Sequence, residues 1–129
     1  ADGPDGPVFG RQFDMGEFAW LTGVEPPCNL YISSQIPNEE LGWGNSNDTG
    51  FSNAAFDEAC TGAQNTLDEA EKATKHAEAQ KIFTDFLPSL PLFARAKILV
   101  TRPEVSGVIM DPTANSELWN VENFDITLP

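Results

Sequence analysis

The chain has 129 residues, 40% of them hydrophobic, and sets 20 acidic against 7 basic side chains for a formal net charge of -13. That length supports one modest domain, burying about two thirds of its unfolded surface if it folds alone, while the charge repels phosphate backbones and anionic membranes and draws cations. No apolar run approaches the roughly 18 residues that cross a bilayer, and residues 1–7 have neither the basic nor the apolar region of a signal peptide.

Residues 1–7, with their Gly-Pro pairs, are expected to be a flexible lead-in to a single domain over 8–129. From Phe9 to Leu21 the apolar positions Phe9, Phe13 and Met15, then Phe18 and Trp20 on the other parity, predict a strand buried on both faces toward its end. Thr22 to Asn53 is rich in Gly, Pro, Asn and Ser, with a short helical turn expected at Leu30-Tyr31-Ile32; a loop this long inside a compact domain is usually functional. Ser52 is the expected N-cap of a first helix running to about Gln64, with a buried stripe of Phe56, Ala59, Cys60, Ala63 and Leu67. Asp68 and Glu71 have the spacing of a capping box. They open a second helix with a stripe of Ala70, Ala73, Ala77, Gln80, Phe83 and Leu87, a supporting Glu71–Lys75 pair, and a stop before Pro88. Leu90 to Phe93 and Ala96 to Thr101 predict short strands that Val105 to Met110 could join; the tail from Asp111 shows no period.

Two cysteines leave two possibilities. Cys28 follows Pro26-Pro27 in the long loop, and Cys60 lies on the buried stripe of the first helix. A bridge would tie loop to helix; without one they are two small, unpaired apolar side chains. Two thiols and a distant His76 are too few for a closed metal site, so no metal and no cofactor is expected. His76 is the only histidine, and no Gly-x-Ser-x-Gly, His-Glu-x-x-His or Gly-rich phosphate loop exists; no enzyme is expected. Asn45, Asn47 and Asp48 have the oxygen-rich look of a cation loop but lack its terminal bidentate Glu, which favours a turn cluster. Trp20, Thr22, Glu25, Tyr31 and Trp43 cluster along and beside the long loop, the mixture of aromatic and polar groups that lines small-ligand pockets.

Gly50-Phe51-Ser52-Asn53-Ala54-Ala55-Phe56-Asp57, then Ala79-Gln80-Lys81-Ile82, then Leu90-Pro91-Leu92-Phe93, form an ordered set. It resembles the C-terminal third of the extracellular solute-binding proteins of ABC importers, in the peptide/nickel class. The resemblance covers roughly Phe9 to Phe124. It implies an α+β fold that is the C-terminal part of a bilobal periplasmic-binding-protein-like architecture: a strand, two helices, and two or three further strands. It also implies that this chain, beginning without Met in mid-loop, is a fragment whose partners are the missing N-terminal lobe, ABC permease subunits and a small solute. The parent would be exported, periplasmic or cell-surface, and lipid-anchored.

In that family a Trp followed by small and acidic residues faces the cleft, a shape that Trp20-Leu21-Thr22-Gly23-Val24-Glu25-Pro26 shares. The implied ligand-binding residues are Trp20, Thr22, Glu25 and Trp43. The Asp that pairs with a peptide's α-ammonium group in those relatives is absent, and Glu25 aligns with the acid before proline instead. An oligopeptide, a differently anchored peptide or a sugar-like solute all stay open, as does an acidic extracellular module with no small ligand.

Overall fold

Asn53, not Ser52, caps the first helix: its side-chain oxygen accepts from the Phe56 N–H at 3.0 Å, satisfying one of the amides left over at a helix start. This is seen in a computed structural model that describes residues 3–127 apart from 18, 21, 22, 24, 95, 112 and 115. The described chain divides into two units, one of Ala1–Phe18 with Pro26–Leu92 and one of Ala19–Glu25 with Phe93–Pro129.

In the first unit, α1 spans Ala54–Asn65 and α2 spans Glu69–Phe86. Phe56, Ala59, Cys60 and Ala63 of α1 are buried as their spacing predicts, but Leu67 lies beyond the helix and is 98% exposed. Asp68 caps α2 by accepting from the amides of Ala70 and Glu71, both at 2.9 Å. The reciprocal half of the capping box is relayed through Thr66, whose hydroxyl donates to Glu71 at 2.7 Å and accepts from the Asp68 N–H at 3.2 Å. Leu87 closes α2 in the left-handed region with φ 47° and donates its N–H to the Phe83 carbonyl, as Pro88 requires the helix to stop.

The stripe expected on α2 is wrong by a fraction of a turn. Of its members Phe83 packs against the core, while Ala70, Ala73, Ala77, Gln80 and Leu87 are exposed; the inward side also carries Lys72, Lys75, His76, Ala79 and Ile82. Lysine stems cover apolar surface while their ammonium groups reach water, so a lysine on an inner face deceives a count of apolar residues. Gly62 of α1 makes room for this, since a Cβ there would lie 3.0 Å from the Lys75 stem. Lys75 keeps the expected pair with Glu71, at 3.7 Å.

A disulfide joins Cys28, in a 3-10 turn at Cys28–Leu30, to Cys60 on α1, with their Cα atoms 5.7 Å apart. Around it pack Phe56, Ala59 and Ala79, then Tyr31, Ile32, Phe51, Ile82 and Phe83. The aromatic rings meet edge to face: Tyr31 with Phe83 at 4.9 Å and Phe51 with Phe56 at 5.4 Å. The Tyr31 hydroxyl keeps a polar partner, the Ser89 hydroxyl, at 2.7 Å.

The expected strands differ most. No described residue between Phe9 and Trp20 is in a strand; residues 3–11, expected as lead-in up to residue 7, form successive hydrogen-bonded turns, with Gly6 N–H to Gly3 O and Arg11 N–H to Val8 O. The segments 90–93 and 96–101 are also not strands. A strand exists only through its neighbour, and alternation of side chains cannot say whether a neighbour is present. In the second unit the strands are two residues each, β1 at Val105–Ser106 and β2 at Asp125–Ile126, antiparallel with Val105 opposite Ile126. Val105 thus pairs with the tail rather than with the 90–101 segment. Gly107 leaves β1 at φ 79°, where an added Cβ would collide with the Asn123 carbonyl oxygen.

Replacing both cysteines by Ser removes a crosslink spanning 32 residues and is expected to cost about 3 to 4 kcal/mol on the chain-entropy model, read as a lower urea midpoint. Gly107→Ala is expected to abolish the β1–β2 pairing without disturbing α1 and α2, which amide exchange resolved by residue would check.

Candidate functional site

The long loop is built from polar groups that take the place of secondary structure. Asn47 has no exposed surface; its side-chain N–H groups donate to the carbonyls of Ile32 at 2.9 Å and Phe51 at 2.8 Å, and its side-chain oxygen accepts from Thr49 at 2.8 Å. Its own amide donates to Gln35 O, and Asn45 reaches Ser34 O. The Asn45, Asn47, Asp48 cluster is therefore turn chemistry, and among the described residues no group of carboxylates, His and Cys is placed to hold a metal. Asp57, in the first turn of α1, accepts from both the amide and the hydroxyl of Ser33, fastening the helix start to the 3-10 turn Ser33–Gln35.

Between these fastenings the chain protrudes as a loop carrying Trp43. Asn38 organises it: the side-chain oxygen accepts from Leu41 N–H at 2.9 Å and the carbonyl from Trp43 N–H at 3.0 Å. Gly42 and Trp43 stand consecutively in the left-handed region, at φ 65° and 60°. Glycine does so freely; a bulky aromatic does so at a cost of about 1 to 3 kcal/mol, a kind of strain that collects at functional sites. The Trp43 side chain is half-buried. No local pattern in the sequence announces that strain.

Trp20 and Glu25 belong to the second unit, where Trp20 is 43% exposed and Glu25 is exposed. Thr22 lies outside the described residues. Tyr31, gathered with these by sequence, is a core residue of the first unit. A groove of about 330 Å³ between α1 and α2, missed by the sequence reading, has a floor of Ala55, Ala59 and Ile82 and a rim of Glu58, Lys75, Glu78 and Lys81. Lys81 is already paired with Asp85 at 2.7 Å and Lys75 with Glu71, so the rim is a solvated ionic surface rather than convergent recognition groups.

Two buried polar residues are less well served. Asp48 is 2% exposed and neither carboxylate oxygen has a hydrogen-bond partner; burial pushes its carboxyl above the usual carboxylate range, against the opposing pull of Arg11. Asn120 of the second unit donates to Gly107 O at 2.9 Å while its own side-chain oxygen is unmatched. Nearby, the Lys97 ammonium uses all three donors, on the carbonyls of Asp111 and Ala114 and on Glu117, at 2.8 to 2.9 Å. Asp111 is held below the usual carboxylate range, first by the Thr113 hydroxyl and then by the Thr113 amide.

Known proteins supply a distant kinship. An uncharacterized lipoprotein of Mycobacterium tuberculosis is 30% identical over 86 residues, 66% of this chain and 15% of that protein, and the same figures hold for one of Mycobacterium bovis. The di/tripeptide-binding protein 2 of Pseudomonas aeruginosa is 27% identical over 111 residues, covering 86% of this chain and 20% of that protein. The chain spans a fifth or less of the length of the curated relatives it matches. No family model matches it, and no solved structure does. Among the described residues, no helix is long and apolar enough to cross a membrane. The expected likeness to solute-binding proteins thus stands at the level of remote similarity, and the likeness to lipoproteins is equally remote.

Asn47→Ala strands the carbonyls of Ile32 and Phe51 in a buried place. It is expected to cost more than about 2 kcal/mol and to lower the urea midpoint well beyond the effect of Asn45→Ala, which removes one exposed bond.

Proposed function

We propose that this chain is part of an exported solute-binding protein that captures a small solute outside the membrane and delivers it to an ABC importer. The observation that carries this is the similarity to a di/tripeptide-binding protein across 86% of the chain. The mycobacterial lipoprotein relatives support export with a lipid anchor. The disulfide accords with an oxidising compartment, and the net charge of -13 with a soluble exported surface. In this reading the fold is the C-terminal part of a bilobal architecture, the lobes close around the ligand, and no bond of the solute is made or broken.

The solute is a short peptide or a peptide-like molecule. Each candidate is taken by itself: in the second unit Trp20 offers a flat apolar face and Glu25 the carboxylate that an ammonium group needs once it leaves water, in the first unit Trp43 offers an aromatic face, and Thr22 would add a hydroxyl. Trp43 is the best supported of the four, because its backbone strain is the kind that a site retains.

A thermal-shift panel of di- and tripeptides, sugars and divalent cations against the full-length parent tests the proposal. At least one peptide at about 100 times its dissociation constant is expected to stabilise by about 2.7 kcal/mol. Replacing Trp20 and Glu25 together by Ala should remove that shift. A shift from a sugar alone would reassign the solute. No shift from any compound would favour an acidic extracellular module without a small ligand.

A further inference from the structure

The Trp43 loop has two stems, and one buried acid sits at the second. At the first stem Arg11, itself in the left-handed region at φ 53°, donates to the carbonyl of buried Pro37 at 3.0 Å. At the second stem Asn47 spends its side chain on Ile32, Phe51 and Thr49, and Asp48 follows it, sealed from solvent with both oxygens unmatched. An ionised carboxylate in such a place loses its hydration and receives no hydrogen bond in return. The charged group that acts on it is Arg11, which gives one of its five N–H donors to Pro37 O and none to Asp48. Residues 33–37, packed on the loop base, carry no ionisable side chain; Glu39 and Glu40 of the loop are exposed, and Asp57 is engaged by Ser33.

We propose that Asp48 is a proton-operated latch on the Trp43 loop. When protonated, the carboxyl stays buried and the loop is shut. When ionised, it seeks water, and the segment 38–49 opens, releasing the strained Trp43 backbone with it. The direction follows from the environment: a carboxyl whose folded-state value is raised contributes its stability below the ordinary carboxylate value of about 3.9, and loses it as pH rises through the raised one. The loop therefore loosens toward neutral pH, opposite in sign to a carboxylate held by a salt bridge. The latch acts whether or not the loop binds a solute.

Thermal unfolding of the wild-type chain and of Asp48→Asn between pH 3.5 and 8 tests this, because Asn keeps the shape of the neutral acid. At pH 7.5 Asp48→Asn is expected to melt at least about 3 °C higher than wild type, and at pH 3.5 within about 1 °C of it. Amide exchange reads the loop itself through the N–H groups of Trp43, Asn47 and Gly50, bonded to Asn38, Gln35 and Asn47. Corrected for intrinsic rates, their protection should fall about tenfold per unit of raised carboxyl value as the wild type passes from acid to neutral pH, and stay level in Asp48→Asn. Arg11→Gln reads the same transition independently: with the opposing cation gone, the wild-type midpoint should move to higher pH. A melting difference that is constant with pH, an Asp48→Asn chain less stable at pH 7.5, or an Arg11→Gln midpoint that stays or falls would each overturn the latch.

Discussion

The Cys28–Cys60 bridge is the constraint on which the first unit depends. Without it the 3-10 turn at Cys28–Leu30 would touch α1 through a handful of apolar contacts, at the end of a stretch rich in Gly, Pro, Asn and Ser that gains little from regular hydrogen bonding. With it, Tyr31 is delivered to the cleft between the helices, where its ring meets Phe56 and Phe83 and its hydroxyl reaches Ser89. The buried apolar residues among those described are few and small, Phe56 and Leu30 being the largest. A core of that size supplies only marginal stability, the usual situation in which a crosslink decides whether a domain persists.

From that anchor the order of the long loop propagates by polar contacts. Asp57 holds Ser33, the Ser33–Gln35 turn presents its carbonyls to Asn45 and Asn47, and Asn47 reaches back to Ile32 and forward to Phe51. Each link satisfies backbone groups that a strand would otherwise satisfy, part-buried ones at Ser33, Ile32 and Phe51 and an exposed one at Ser34. Asp48 is the exception in a network that is elsewhere complete, and the exception falls at the base of the loop that also holds a strained tryptophan. Backbone strain at Trp43 and an unmatched carboxyl at Asp48 thus fall in one loop, on a scaffold whose neighbouring polar groups are satisfied.

What was legible in the sequence is what is local. Asp68, Pro88 and the Phe56–Ala63 spacing act within one or two turns of chain, and they place both helices to within a residue or two. The Asn45, Asn47, Asp48 cluster announced a turn for the same reason. The inner face of α2 was misplaced because Lys72 and Lys75 hide their stems there, and because Gly62, on another helix, provides the space. The strands expected at 9–21, 90–93 and 96–101 are not seen among the described residues, because pairing is decided by a distant segment that no window contains. Of the candidate site, the residue types were legible and the left-handed backbone of Trp43 was not.

The second unit is held by different means. None of the buried apolar residues among those described belongs to it. Lys97 gathers the 111–117 loop with three hydrogen bonds, Trp119 donates to Ile109 O, and Asn120 to Gly107 O. Meanwhile Lys97 and Leu99 are half-buried and Ile98 and Val100 are 80% and 86% exposed, a period-two alternation whose outward face is apolar. The segment is not a strand, so this row of aliphatic side chains stands outward without a ladder behind it. That exposed apolar row, together with the polar contacts around Lys97 and Asn120, sets the second unit apart from the first, whose buried residues are packed around a disulfide.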